Sequence, residues 1–63
     1  MKPTVGQQLQ RAREQAGINL DDAAHETHIR AHYLQNLEDD HPELLHSVTQ
    51  ARGFLRLYAE FLG

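Results

Sequence analysis

Three histidines, His25, His28 and His32, crowd the stretch HETHIRAH, and imidazole is a common zinc ligand. A tetrahedral site needs three or four convergent donors. HETHIRAH lacks the helical HExxH spacing, and a turn interrupts it, so the three rings need not share a face. No metal site is expected, and no cofactor. Arg30, His32, Gln35 and Asn36 suggest a different chemistry. Arg can grip guanine with two hydrogen bonds, and Gln or Asn can do the same to adenine. On one helix they form a candidate DNA-reading set. No nucleophile–base pair stands out, since Ser47 reads as a helix cap, and there is no glycine-rich phosphate loop. A chain of 63 residues has little room for a deep pocket, so an enzyme is not expected. What remains is apolar. The segment ARGFLRLYAEFLG, residues 51–63, carries both Phe and one of the two Tyr, and aromatics are enriched at the centres of protein interfaces.

These residues must be held by helices, because no period-two strand pattern appears. Thr4 with Gln7 fits a capping box. Val5, Leu9, Ala12 and Ala16 then recur at helical spacing, and Gly17 is placed to end the helix in a left-handed cap. Asn19 can cap a second, short helix, with Asp21 and Asp22 in the first turn, where the dipole favours them. Thr27-His28-Ile29 reads as a tight turn, although His takes a positive φ less readily than Gly or Asn. A third helix is expected from about Arg30 to Glu38, with Tyr33, Leu34 and Leu37 inward. Asp39, Asp40, His41 and Pro42 break it, and Leu44 and Leu45 are expected to plug the core from one helical turn. Ser47 with Gln50 forms a second capping box. It opens a last helix in which Val48, Ala51, Phe54 or Leu55, Tyr58 and Leu62 share helical spacing. The segment Leu20 to Glu38 has the form of a helix-turn-helix, with Ala24 at the crossing and Ile29 and Leu34 as its plug. The fold expected is all-α: a single domain over residues 1–63, a bundle of four to five helices containing a helix-turn-helix.

Charge is unevenly spread. Residues 19–46 carry Arg30 against Asp21, Asp22, Glu26, Glu38, Asp39, Asp40 and Glu43, a net of −6, whereas residues 1–18 and 47–63 are mildly basic. Phosphate attraction supplies much of the affinity for DNA. An acidic reading helix therefore argues for weak nucleic-acid binding or none, and residues 21–43 read as a solvated acidic face. There is no cysteine, which suits the cytosol. No apolar run approaches the ~20 residues a membrane helix needs.

QLQRAREQAGINLDDAAHETHIRAHYLQNLEDD followed by ARGFLRLYAEFLG resembles the cytoplasmic helix-turn-helix domain of the RodZ family. The first half alone fits the wider Xre-like, lambda-repressor-like group. The resemblance implies the N-terminal part of a longer, membrane-anchored protein, lying on the cytoplasmic face of a bacterial inner membrane. It implies an adaptor that binds the actin-like filament protein MreB and supports cell shape. Phe54 matches the aromatic after Arg-Gly in that family, and Arg52 and Tyr58 match the same motif. Gln50 stands where the family usually has an aromatic, and His46-Ser47-Val48 replaces a Pro-Gly-Pro-like approach. The partner-binding residues implied are Gln50, Arg52, Phe54 and Tyr58. A DNA-binding regulator of the Xre-like type, reading through Arg30, His32, Gln35 and Asn36, is the alternative. The last helix has more apolar residues than one face can bury. Leu55, Tyr58 and Leu62 form one row, expected to hold the bundle, and Phe54, Leu57 and Phe61 form a second. Gly53 in mid-helix costs roughly 1 kcal/mol relative to Ala. It implies either close helix packing or a partner backbone passing there.

Overall fold

A computed structural model describes residues 2–63. It contains helices α1 (Val5–Gln15), α2 (Leu20–Thr27), α3 (Ala31–Glu38) and α4 (Val48–Leu62), with a single 3₁₀ turn, Pro42–Leu44, between the last two. No strand occurs among the described residues.

The helix starts follow from local chemistry. Thr4 and Gln7 close the reciprocal capping box. The Asn19 side chain accepts from the Asp22 amide at 2.8 Å, and Ser47 accepts from the Gln50 amide at 3.0 Å. Each satisfies an amide that the first helical turn leaves without a partner. The second box is only half formed, because the Gln50 side chain accepts from His46 N rather than from Ser47. At the end of α1, Gly17 turns left-handed with φ of 71°. The Ile18 amide donates to Arg13 O and the Gly17 amide to Glu14 O, the paired bonds of a Schellman cap. The α2–α3 turn places His28 at φ 59°, where most side chains are disfavoured. Thr27 supports the turn by donating to Ala23 O and accepting from Ile29 N.

The core consists of Leu9, Ala23, Ile29, Leu34, Leu37, Leu45, Ala51 and Tyr58. Ala23, not Ala24, is the wholly buried residue of the α2 pair. It lets α2 cross closely, while Ile29 and Leu34 fill the angle as expected. Four other residues depart from expectation. Val5 and Val48 are largely exposed, and Ala16 is exposed as well. Leu45 alone enters the core, while Leu44 stays at the surface. For α1 the reason is Gly6. A β-carbon there would lie 2.3 Å from the Glu38 carbonyl oxygen and 2.6 Å from that of Leu37. The α1 backbone therefore rests directly on the end of α3. The inward stripe becomes Gly6, Leu9 and Arg13, with Ala12 half-buried beside it, and Val5 and Ala16 fall outside it.

Arg13 uses that position to enter the bundle. Its Nε donates to Glu38 Oε2 at 2.8 Å, its Nη2 to Glu38 Oε1 at 3.0 Å and its Nη1 to Ile18 O at 3.0 Å. The Tyr58 hydroxyl donates to the same carboxylate. Glu38 is thus a buried acceptor tying α1, α3 and α4 together, not part of a solvated acidic end. The bond to Glu38 raises the Arg13 pKa above its ordinary value. Burial first, and then the bond to Glu38, push the Tyr58 phenol up. Asp40, at φ 61°, closes the other end of the α1–α3 contact. It accepts from the Thr4 hydroxyl and, at 2.8 Å, from the Gly6 amide. Those two bonds, Thr4 first, hold its carboxyl below the usual carboxylate range.

Candidate functional site

The α2–α3 unit presents its sequence-expected reading residues unevenly. Arg30 precedes α3 as its N-cap residue, with its carbonyl accepting from the Tyr33 and Leu34 amides and its side chain exposed. His32 is exposed and lies against Tyr33, the ring centroids 4.1 Å apart. Gln35 is exposed, but its amide group donates to Asp39 Oδ1 at 3.0 Å. Asn36 is half-buried, and its carbonyl accepts from the His41 amide. The reading set thus divides into three outward residues and one at the edge of the core. Around it, Asp21, Asp22, Glu26, Asp39 and Asp40 are exposed and Arg30 is the single exposed cation between residues 20 and 40. Withdrawing Glu38 into the ion pair with Arg13 reduces the acidity of this face without reversing it. Among the described residues no group of three or more His, Cys, Asp or Glu could hold a metal ion.

The last helix sorts its large side chains differently from a two-row division. Tyr58 is fully buried, with its hydroxyl on Glu38. Its expected role at a partner surface is corrected: no part of it reaches solvent. The reason is that a single aromatic spans the bundle centre, and its polar tip finds the carboxylate there. Phe54 is half-buried and packs on Tyr33 at a centroid separation of 5.5 Å. Tyr33 also meets His46, Oη to Nε2 at 2.6 Å. Phe61 and Leu62 are half-buried, whereas Leu57 is 50% exposed. Gln50 is occupied inside the molecule by the His46 amide. Arg52 is exposed and makes no ion pair among the described residues. Arg56 pairs with Glu60 at 3.0 Å on an open surface, an arrangement that contributes little.

Gly53 is the unexpected member of this surface. A β-carbon built there would meet nothing within 4 Å. Close packing between helices is therefore not the reason for glycine at this position. It lies between Arg52 and half-buried Phe54, one turn before Leu57. On the outer surface of α4 the bare backbone of Gly53 thus lies between an exposed cation, Arg52, on one side and an exposed apolar group, Leu57, on the other, with Phe54 turned toward Tyr33.

Two residues escaped the reading of the sequence, Gly6 and Glu38. Both carried a signal. Glu38 follows Leu34 by four residues, on the inward stripe of α3, and Arg13 follows Leu9 by the same step. Gly6 interrupts the first turn of a helix that needs no glycine for local reasons.

A model of the helix-turn-helix domain family matches residues 8–63. The chain belongs to this family. No curated protein and no solved structure gives a match. The matched span begins inside α1 and runs through α4. It therefore includes the α2–α3 unit, the Arg13–Glu38 pair and the surface around Gly53. No helix of this domain, among the described residues, is long and apolar enough to cross a membrane.

Proposed function

We propose that this domain is a noncatalytic protein-binding module of the RodZ type, engaging the actin-like filament protein MreB through the outer face of α4. The observation that carries the reading is Gly53. A glycine in the interior of an exposed helix costs about 1 kcal/mol relative to alanine, and nothing inside the fold requires it here. A partner backbone lying on α4 would require it, because a β-carbon would hold the two chains apart. Arg52 and Leu57 flank the position with an exposed arginine, a residue type enriched at protein interfaces, and an exposed apolar group. The resemblance of ARGFLRLYA to the RodZ motif names the filament. Placement on the cytoplasmic face of a bacterial membrane follows from that same resemblance.

Phe54 contributes differently from a fully exposed anchor. It packs on Tyr33 and the core, so it supports this surface while offering only its remaining edge. Tyr58 and Gln50 are engaged internally and drop out of the contact set, leaving Arg52, Gly53, Phe54 and Leu57.

The alternative, a DNA-binding regulator, draws on the family and on exposed Arg30, His32 and Gln35. Against it stand five exposed carboxylates around one exposed arginine, since phosphate binding needs several cations on one face. Two parallel titrations separate the readings: co-sedimentation with polymerised MreB, and fluorescence anisotropy on a duplex of mixed sequence. Filament binding with weak, salt-sensitive DNA binding supports the proposal. A sequence-specific DNA complex near 10⁻⁸ M at physiological salt, roughly the affinity of specific regulators, without filament binding contradicts it.

A further inference from the structure

Opening between the 3₁₀ turn and the start of α4 is a groove of about 580 Å³. Leu37, Leu45 and Ala51 form its buried floor, while Pro42 and Val48 stand exposed along it. Its apolar lining is incomplete as a core, because Val48 is 69% exposed and neighbouring Leu44 60%. Two charged residues also line it, Glu43 from the 3₁₀ turn and Arg52 from α4. They are not paired with one another. Glu43 accepts from His41 Nδ1 at 2.8 Å, and Arg52 makes no ion pair among the described residues.

We infer that this groove is a weak self-association surface, its occupant the same groove of a second copy of the chain. Charge complementarity under symmetry selects that occupant. In a two-fold interface the same patch meets itself, so that residue i touches residue j and j touches i. A patch bearing one anion and one cation can then form two crossed pairs, Glu43 of each copy on Arg52 of the other. A patch of a single sign would repel itself. The exposed apolar groups fit the same operator, since Val48 of one copy can cover the small Ala51 floor of the other. Neither charge is in surplus across the groove as a whole, and a second copy supplies the complement of both.

Size sets the strength. A stable interface takes about 800 Å² from each partner. From a domain exposing 4568 Å², that would be roughly a sixth of its surface. A groove of a few side chains falls short of this, so association is expected with a dissociation constant on the order of 10⁻⁴ to 10⁻³ M, the weak end of the interface range. This inference does not depend on filament binding, and its test uses only this chain.

The experiment is NMR of the labelled domain across a dilution series reaching about 2 mM, comparable with the expected dissociation constant, reading amide shifts and translational diffusion. The expected result is concentration-dependent shifts confined to residues 42–55, with slower diffusion at high concentration. Arg52→Glu and Glu43→Arg place like charges opposite one another and should each weaken association by about tenfold or more. Mixing the two variants makes every crossed pair attractive again and should restore it. Both positions are exposed, and circular dichroism would verify that each variant is folded. A monomer throughout the series, association that neither variant weakens, or a mixture that fails to recover would each overturn the inference.

Discussion

Arg13 and Glu38, 25 residues apart in the chain, face each other through two charge-assisted hydrogen bonds of 2.8 and 3.0 Å. The Glu38 side chain is almost wholly buried, and the Arg13 side chain is 13% exposed. The pair fixes where α1 meets the end of α3. Tyr58 adds α4 to the same carboxylate, so three helices share one acceptor.

Breaking this cluster from one side leaves a buried charge without its partner. Arg13→Leu should therefore destabilise by about 3–5 kcal/mol, the range for removing one member of a buried pair. Tyr58→Phe, which keeps the ring and the ion pair, should cost only about 1.5–3 kcal/mol, the scale of one hydrogen bond to a charged group. Urea denaturation measures both. Equal losses for the two variants would mean that the ion pair contributes nothing beyond the hydroxyl bond.

Acid should loosen the α1–α3 junction. The Asp40 carboxyl sits below its ordinary value of 3.8 because it accepts from Thr4 and then Gly6. The Glu43 carboxyl is also lowered, first by its own backbone amide and then by His41. A lowered folded-state pKa gives stability that is present above the unfolded value and lost as pH falls through the folded one. Both contributions should thus be full near neutral pH and decline as pH falls below about 4. Asp40→Asn removes the charge and keeps a residue that tolerates positive φ. Thermal melts should show the variant less stable than wild type at neutral pH, with the gap closing as pH drops below about 4. A gap of constant size would assign Asp40 a role independent of its charge.

Opposite glycine exchanges test the two backbone positions that shape the bundle. His28→Gly should raise stability by up to about 1–2 kcal/mol, by relieving a left-handed conformation that costs a side chain this much. Gly6→Ala should lower it by about 1–3 kcal/mol or more, because the added carbon meets backbone oxygens that cannot rotate away. Chemical denaturation of the two single variants reads both effects. A neutral Gly6→Ala would mean that α1 can lift from α3 at little cost.

What could be read in advance was what is local. Thr4, Asn19 and Ser47 cap their helices through residues three positions away, and Gly17 needs only its own φ. Ile29, Leu34 and Leu37 fall on an inward stripe that spacing reveals. Most of the errors concern contacts between distant segments. Val5 looked inward until Gly6 set the rotation of α1 against α3, and Glu38 looked like part of an acidic surface until Arg13 reached it. Tyr58 matched a partner-binding motif, yet it is also the α4 side chain whose hydroxyl reaches that carboxylate. On the outer surface of α4, the aromatic residues drew the expectation, while the position with no internal explanation is the glycine among them.

Gly53→Ala separates folding from binding, because the two should respond in opposite directions. An alanine in an open helical position adds helix propensity, so the domain should gain about 0.8–1 kcal/mol in denaturant titration. Co-sedimentation with MreB filaments should meanwhile weaken by about tenfold or more, as expected when a central contact loses at least 1.4 kcal/mol. A variant that is stabilised yet binds filaments as well as wild type would contradict the account, because the bare backbone at position 53 would then serve no partner.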